Sequence, residues 1–413
     1  MRLIRCVGNG APGGASVRSS LPSGSPSYFV TLIVYKSGLA MPALSHEDLS
    51  ALRASLSRLL ADRSALPDVR RIMDGREGYD AALWAELAAI GLLGLVVPEE
   101  YGGAGAGPVE LELIMEDVGA ALLCAPFLSS AVLSAELVRR LDDADAAGRI
   151  LPGLAAGTLI AAAALTGPRG CWTPDGVAAI ASGDGESWRL DGEAAFAIHG
   201  HVADVLLVAA RSADGIDVFE VDSDARGVSR ALLPTFDRTL RLASLRFDGA
   251  AARRIGKGGR GWQAIEAALD LARVALAGEQ SGAGQHVLSF TVDYARTRIQ
   301  FGRPIGSFQA IKHMAADLFL ESESAISAAR YAAAQLAAAA PDARAAVELA
   351  GFACSDAFVK ICADAIQMHG GIAFTWDHPA HLYLRRARAD AQLFGAPAFH
   401  RDRYLRELET AHG

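Results

Sequence analysis

The chain has no apolar run approaching the roughly 20 residues that a bilayer-spanning helix needs, and its longest stretch of that character, Tyr28 to Tyr35, falls far short. It also lacks a basic stripe. With 39 Lys and Arg against 47 Asp and Glu the net charge is -8, so nothing neutralises a row of phosphates, and neither a nucleic acid nor a membrane is expected as a partner. Cysteine is scarce. Cys6, Cys124, Cys171, Cys354 and Cys362 are odd in number, widely spaced and set in apolar or loop contexts, which argues against a disulfide framework or a zinc site and for reduced thiols in a cytoplasmic protein. Residues 1–40 contain no acid, although they hold Arg2, Arg5, Arg18 and Lys36 and are rich in Gly, Ser and Pro. That composition resembles a transit peptide or a disordered leader. Because Ser45-His-Glu-Asp48, with its capping-box spacing, follows closely on Met41, we read the leader as a translated upstream segment outside the fold.

What remains is long and apolar: 413 residues in all, 51% hydrophobic and 21% charged, enough for two or three packed units. The periodicity predicts an α+β chain in three parts after the leader. Over 41–155 the leucines recur at helical spacing, as in Leu49, Leu52, Leu56 and Leu59-Leu60, and helices are expected at Pro108–Ala120 and Pro126–Leu141. Between them the glycines of Pro98-Glu-Glu-Tyr-Gly-Gly-Ala-Gly105 allow a close backbone approach. Over 156–256 short apolar runs predict strands at 159–165, 176–181, 205–210, 216–221 and 243–247, forming a small β-sandwich or barrel-like domain with turns at Asp191-Gly192 and Asp214-Gly215. Over 257–413 four helical patterns (262–298, 307–340, 342–368 and 379–394) predict a four-helix bundle. Gly278, Gly282 and Gly284 inside the first of them call for a closely packed neighbour.

The segment Tyr294–Leu318 joins two of those helices through Gly302, Pro304 and Gly306, with Ser307 as the expected cap of the second. Arg298 beside free helix-start amides suits an anion such as a pyrophosphate. Together with Gln367-Met-His-Gly-Gly-Ile-Ala-Phe374, and with Tyr79-Asp-Ala-Ala-Leu-Trp84 and Val97-Pro-Glu-Glu-Tyr-Gly-Gly103 upstream, the stretch resembles the signatures of the acyl-CoA dehydrogenase family over roughly residues 45 to 410.

The resemblance implies FAD as cofactor, an acyl-CoA thioester as substrate, an electron-transfer flavoprotein as acceptor, and the 98–105 loop as a wall of the acyl pocket. It implies that Arg298, Gln300, Phe301, Gln309, Gln367, Gly370 and Gly371 reach the pyrophosphate and adenine half of a neighbour's FAD, and that Thr166 faces the flavin ring. The Trp-Ile-Thr motif expected near the ring stands here as Phe196-Ala197-Ile198, without its hydroxyl. Arg273, with Asp270 three residues before it, matches a substrate-side arginine, and the same pair is also an ordinary helix salt bridge. The two positions where the family carries its glutamate base are Phe394 and Ala272. Glu279 lies seven residues beyond Ala272, about 10 Å along a helix axis, and is the remaining candidate base. Asp377, His369, His378, His381 and His400 close no metal set, and Asp237-Arg238-Thr239-Leu-Arg241 is either a charged loop or a contact to the bundle.

The expectation is therefore one subunit of a heterotetramer, sharing FAD with a related chain that supplies the base. The alternatives are a self-sufficient homodimer or homotetramer, acting as a dehydrogenase or a flavin oxygenase-like enzyme, and a non-catalytic scaffold.

Overall fold

The computed structural model describes residues 44–185 and 187–412, so the acid-free leader, Cys6 and the Tyr28–Tyr35 run lie outside the described residues. Among the described residues six α-helices come first: α1 (His46–Arg63), α2 (Leu66–Asp74), α3 (Ala81–Ala89), α4 (Pro108–Ala120), α5 (Ala135–Arg140) and α6 (Ala144–Ala155). Ser45 caps α1, its hydroxyl accepting the Asp48 N–H at 3.1 Å, as the spacing predicts. The single helix expected at 126–141 is instead a buried π-helix, Phe127–Ser134, running into α5. There Ser134 Oγ bonds the carbonyl of Ser129 five residues back at 2.8 Å, a pairing that suits the wider turn. The 98–105 glycines do allow a close approach, but to the chain itself, since a Cβ on Gly103 would collide with the carbonyls of Gly94 and Val97.

Seven strands follow: β1 (Ala161–Ala164), β2 (Ala179–Asp184), β3 (Ser187–Ile198), β4 (Val205–Ser212), β5 (Gly215–Asp222), β6 (Val228–Leu232) and β7 (Leu242–Ile255). Strand β4 pairs with β5 on one edge and with β1 and then β2 on the other, and the path β2-β3-β7-β5 returns to β4, so the sheet closes as a barrel. Asp214-Gly215 makes the β4–β5 hairpin as expected. Asp191-Gly192 does not turn: it lies inside β3, where Gly192 at φ 108° accompanies a register shift against β7.

Five helices complete the chain: α7 (Gly261–Thr297), α8 (Gln309–Ala337), α9 (Ala343–His369), α10 (Ala380–Asp390) and α11 (Pro397–His412). The first three pack on one another as the body of the bundle, and α11, absent from the sequence reading, packs on α9. The predicted fourth helix ends at Asp390, ahead of the turn that carries Phe394 at φ 57°. Ser307 caps nothing. It ends a 3-10 turn, and α8 begins two residues later with Phe308 in the cap position. The glycine expectation fares better, because α4 lies directly on α7. A Cβ on Gly278 would sit 2.6 Å from the Glu112 carbonyl, and one on Gly282 would meet the Glu116 carbonyl. Among the described residues no helix is long and apolar enough to cross a membrane.

Candidate functional site

Two positions singled out from sequence, Phe196 and Asp237, come together where the barrel meets α10. A cavity of about 440 Å³ lies there, walled by Trp172, Phe196, Leu240, Leu242 and Leu393, with Arg169, Asp237, Arg388 and Gln392 as its polar groups. Phe196 holds a left-handed φ of 58° at the end of β3. Thr166 bridges to Ala195 beside it, but its hydroxyl donates to the Cys171 carbonyl at 2.8 Å and is already occupied. Ile198 is buried in the β3–β7 ladder and offers no donor.

Phe394, the residue at the first expected base position, is 0% exposed and meets Trp172 edge-on at 5.2 Å between ring centroids. The Phe394 carbonyl is held by Arg273, whose Nε and Nη2 donate to it at 3.3 and 3.2 Å. Arg273 Nη1 reaches Asp270 at 3.1 Å and Glu348 at 3.6 Å, and the guanidinium lies over the Phe399 ring. Arg273 and Asp270 are thus brought together as expected, as a buried clasp on the Phe394 turn. Glu348 is the centre of this network, accepting also from His400 Nδ1 and Arg403 Nε, each at 2.6 Å. Burial raises the Glu348 carboxyl, but the His400 hydrogen bond and the Arg273 charge outweigh it and hold its pKa below the ordinary value. Asp270 goes the other way, pushed up by burial against the pull of Arg273 and Arg344.

The second base position, Ala272, is buried and apolar. Glu279 lies farther along α7 in a separate ionic cluster, bonded to Arg386 Nη1. Arg386 is buried, and its Nε also donates to Asp237 at 3.0 Å while Nη2 donates to Thr239 Oγ1 at 2.9 Å, so the 237–241 segment faces the bundle. Asp390 completes the cluster. Both its oxygens are buried and without a hydrogen-bond partner among the described residues, and burial, with the nearby Glu279 charge, raises its pKa well above the ordinary carboxyl range. Burial thus pushes Asp390 toward its neutral form, while Glu279 and Asp237 make the hydrogen bonds to Arg386. Sequence reasoning missed Arg386, Asp390 and Trp172 of the cavity wall. Arg386 and Asp390 have the i, i+4 spacing of a surface pair, and burial leaves no local mark on such a pattern.

The remaining candidates form an outward-facing group. Phe301 and Gly302, both at positive φ, make the tight turn of the hairpin Ile299–Gln300 and Arg303–Pro304, and Phe301 is 92% exposed. Arg298, Gln300, Gln309, Gln367, Gly370 and Gly371 are exposed as well. Tyr294 on α7 stacks on His369 of α9 with centroids 4.3 Å apart, which sets the Arg298 hairpin and the Gly370-Gly371 turn at one end of the bundle. Arg298 makes no ion pair among the described residues, and no atom lies within 4 Å of where a Cβ on Gly370 or Gly371 would stand. An open cation beside bare backbone fits a pyrophosphate approaching from outside the chain.

Models of the acyl-CoA dehydrogenase N-terminal domain and of the acyl-CoA dehydrogenase C-terminal domain match residues 46–158 and 259–408. The acyl-CoA dehydrogenase IpdE2 of Mycobacterium tuberculosis is 34% identical over 366 residues, 88% of this chain and 97% of that protein. Among solved structures, the Tcur3481-Tcur3483 steroid ACAD G363A variant aligns with a TM-score of 0.80 at 30% identity, covering 89% of this chain and 99% of its own. The ChsE4-ChsE5 complex from Mycobacterium tuberculosis aligns at 0.81 and 28%, covering 89% and 99%. With both domain models matched in order around a barrel, and a relative of this identity covered almost end to end, the chain belongs to the acyl-CoA dehydrogenase family of FAD-dependent oxidoreductases.

Proposed function

We propose that this chain is one subunit of a heteromeric acyl-CoA dehydrogenase, sharing FAD with a related chain that supplies the base for α,β-dehydrogenation of an acyl-CoA thioester. One observation carries the reading: both positions for a base glutamate hold buried apolar residues, while Glu279 is tied to a buried arginine. A carboxylate so held does not come within the ~3 Å of a substrate proton that general-base work needs. The similarity to steroid ACAD subunits, one of them in a two-component complex, supports both the assembly and a bulky acyl group.

When bound, FAD supplies the hydride acceptor, and an electron-transfer flavoprotein takes the electrons onward. This chain's part is binding and positioning. Arg298 neutralises the pyrophosphate, Gln300, Gln309 and Gln367 bond it or the ribose, and Phe301, Gly370 and Gly371 flank the adenine half. Thr166 stands at the flavin-ring end with its hydroxyl turned inward, so this chain grips the nucleotide half more strongly than the ring. Arg273 and Asp270 act through the Phe394 turn, as positioning residues.

The test is the visible spectrum and acyl-CoA-dependent reduction of the purified chain, alone and coexpressed with a second family member. Flavin absorbance and turnover that appear only with the partner are expected. Full turnover by the chain alone, abolished by Glu279→Gln, would replace this reading with a self-sufficient homomer. The occupied Thr166 hydroxyl and the apolar Ile198 favour one further reading, a scaffold subunit that binds no flavin, and an absence of flavin absorbance even in the complex would establish it.

A further inference from the structure

We propose that the cleft between α1, α2, the end of α4, α7 and the start of α10 binds a neutral, compact apolar molecule carrying a single hydroxyl group, and that His286 recognises the hydroxyl. A cavity of about 390 Å³ lies there, within the range of small-molecule sites, and it is walled by Leu60, Leu66, Val69, Leu122 and the Tyr383 ring. None of the candidate site residues read from the sequence lines it, and it shares no residue with the cavity beside Phe196.

The apolar walls set the frame of the ligand, and the polar groups set its charge. The carbonyls at the end of α4 are already taken: Tyr383 Oη donates to that of Ala120 at 2.6 Å, and Ser64 Oγ to that of Ala121 at 3.2 Å. Asp117 is the one acid of the lining, and Arg53 holds both of its oxygens, at 2.7 and 3.0 Å. Among the described residues no Lys or Arg lines the cavity. A cation therefore finds its counter-charge spent, and an anion finds none.

His286 remains, and it is the group that selects. The residue is exposed and lines the cleft, and its ring meets those of Phe290 and Tyr383 with centroids 5.6 and 5.7 Å away. Neither ring nitrogen has a hydrogen-bond partner among the described residues. Desolvation lowers its pKa, so the ring is uncharged at neutral pH. A neutral imidazole offers one N–H and one lone pair, which a hydroxyl, itself donor and acceptor, can match in either sense. Ser57, exposed as well, adds a second uncharged hydroxyl to the lining. This inference does not rest on the proposed function and is read out without turnover.

The experiment titrates the purified full-length chain at pH 7 with 2-naphthol, naphthalene and 2-naphthoate, following the fluorescence anisotropy of the probe. The three share one apolar frame and differ in bearing a hydroxyl, nothing or a charge. Saturable binding of 2-naphthol is expected, about 2- to 10-fold tighter than that of naphthalene, the range that one net hydrogen bond gives, with 2-naphthoate the weakest. His286→Phe should erase that preference while naphthalene still binds, since the imidazole bonds nothing in the fold and phenylalanine keeps its packing on Phe290 and Tyr383. Ala61→Trp, at an exposed position of the lining, fills the cleft and should weaken both neutral probes at least ~10-fold. Equal affinity for 2-naphthol and naphthalene in the wild type, 2-naphthoate as tight as 2-naphthol, a preference that survives His286→Phe, binding that survives Ala61→Trp, or no saturable response would each overturn the site.

Discussion

Arg386 shares its charge among Asp237, Glu279 and Asp390, and only one of the three carboxyls has no hydrogen bond. Because Asp390 makes no hydrogen bond and burial pushes its carboxyl toward the neutral form, Asp390→Asn is expected to change stability by less than about 1 kcal/mol, whereas Glu279→Gln weakens a hydrogen-bonded partner of a buried guanidinium and costs about 1–3 kcal/mol. Urea unfolding of the two variants decides it, and the reverse order would show that Arg386 depends more on Asp390 than on Glu279. His199 provides a test by pH. Burial first, then the charges of His201, Arg386 and Arg241, pushes its pKa down to about 3. Its unfolded value is about 6.5, so above that pH neither state is protonated and there is no effect. Below it the unfolded chain takes up a proton that the folded chain refuses, and stability falls with decreasing pH by up to ~1.4 kcal/mol per unit until about pH 3. His369, pushed down to about 4 by burial and by His378, acts in the same direction. Thermal midpoints measured from pH 7 to pH 4 should therefore decline, and His199→Gln should flatten the decline by one proton. At this scale the sequence made the absences legible, since Phe394 and Ala272 cannot ionise wherever they lie. It could not show that Thr166 donates inward or that Arg273 grips a carbonyl 121 residues away, because both depend on the approach of distant chain.

The α4–α7 crossing shows which elements a sequence specifies. Three glycines in a helix weaken it locally, so their presence called for a neighbour, and the close contact of the two backbones supplies it. Their positions differ in consequence. A Cβ on Gly282 strikes backbone, so Gly282→Ala is expected to cost about 1–3 kcal/mol or more. On Gly284 it meets only the mobile end of Ile361 at 3.2 Å, so Gly284→Ala is neutral or stabilises by up to ~1 kcal/mol. Similar denaturation midpoints for the two variants would show that the helices do not cross as closely as described. Where the sequence misled, the cause was local ambiguity. Asp191-Gly192 has turn chemistry, but the same glycine serves a bulge within β3. Gly395 and Pro397 read as the stop of one helix, but that helix already ends at Asp390 and Pro397 begins another, because proline suits a first helical turn.

For the molecule as a unit, the three-part order of helices, barrel and helices was readable because periods of 3.6 and 2 survive without tertiary information, and family membership rested on motifs that stand almost unbroken. Closure of the sheet was not readable, since it depends on which edges of β4 are paired. Nor was the network at Glu348, which joins α7, α9 and α11 to the Phe394 turn. Glu348→Gln is expected to cost about 3–5 kcal/mol and to speed hydrogen exchange in α11 and in the turn together. Exchange that quickens in α9 alone would show that the three helices are not joined through this carboxylate.

The same carboxylate constrains how the chain can diverge. Arg273, His400 and Arg403 all rely on Glu348, so losing it removes an acceptor shared by three partners, and losing any one of them unbalances the rest. Substitutions at these four positions should be strongly epistatic: harmful singly, tolerable when an apolar replacement at 348 arrives with neutral partners. The turn that holds Phe394 is thus anchored by a set of residues that can only change in company, and Phe394→Glu by itself would not leave that turn as it stands.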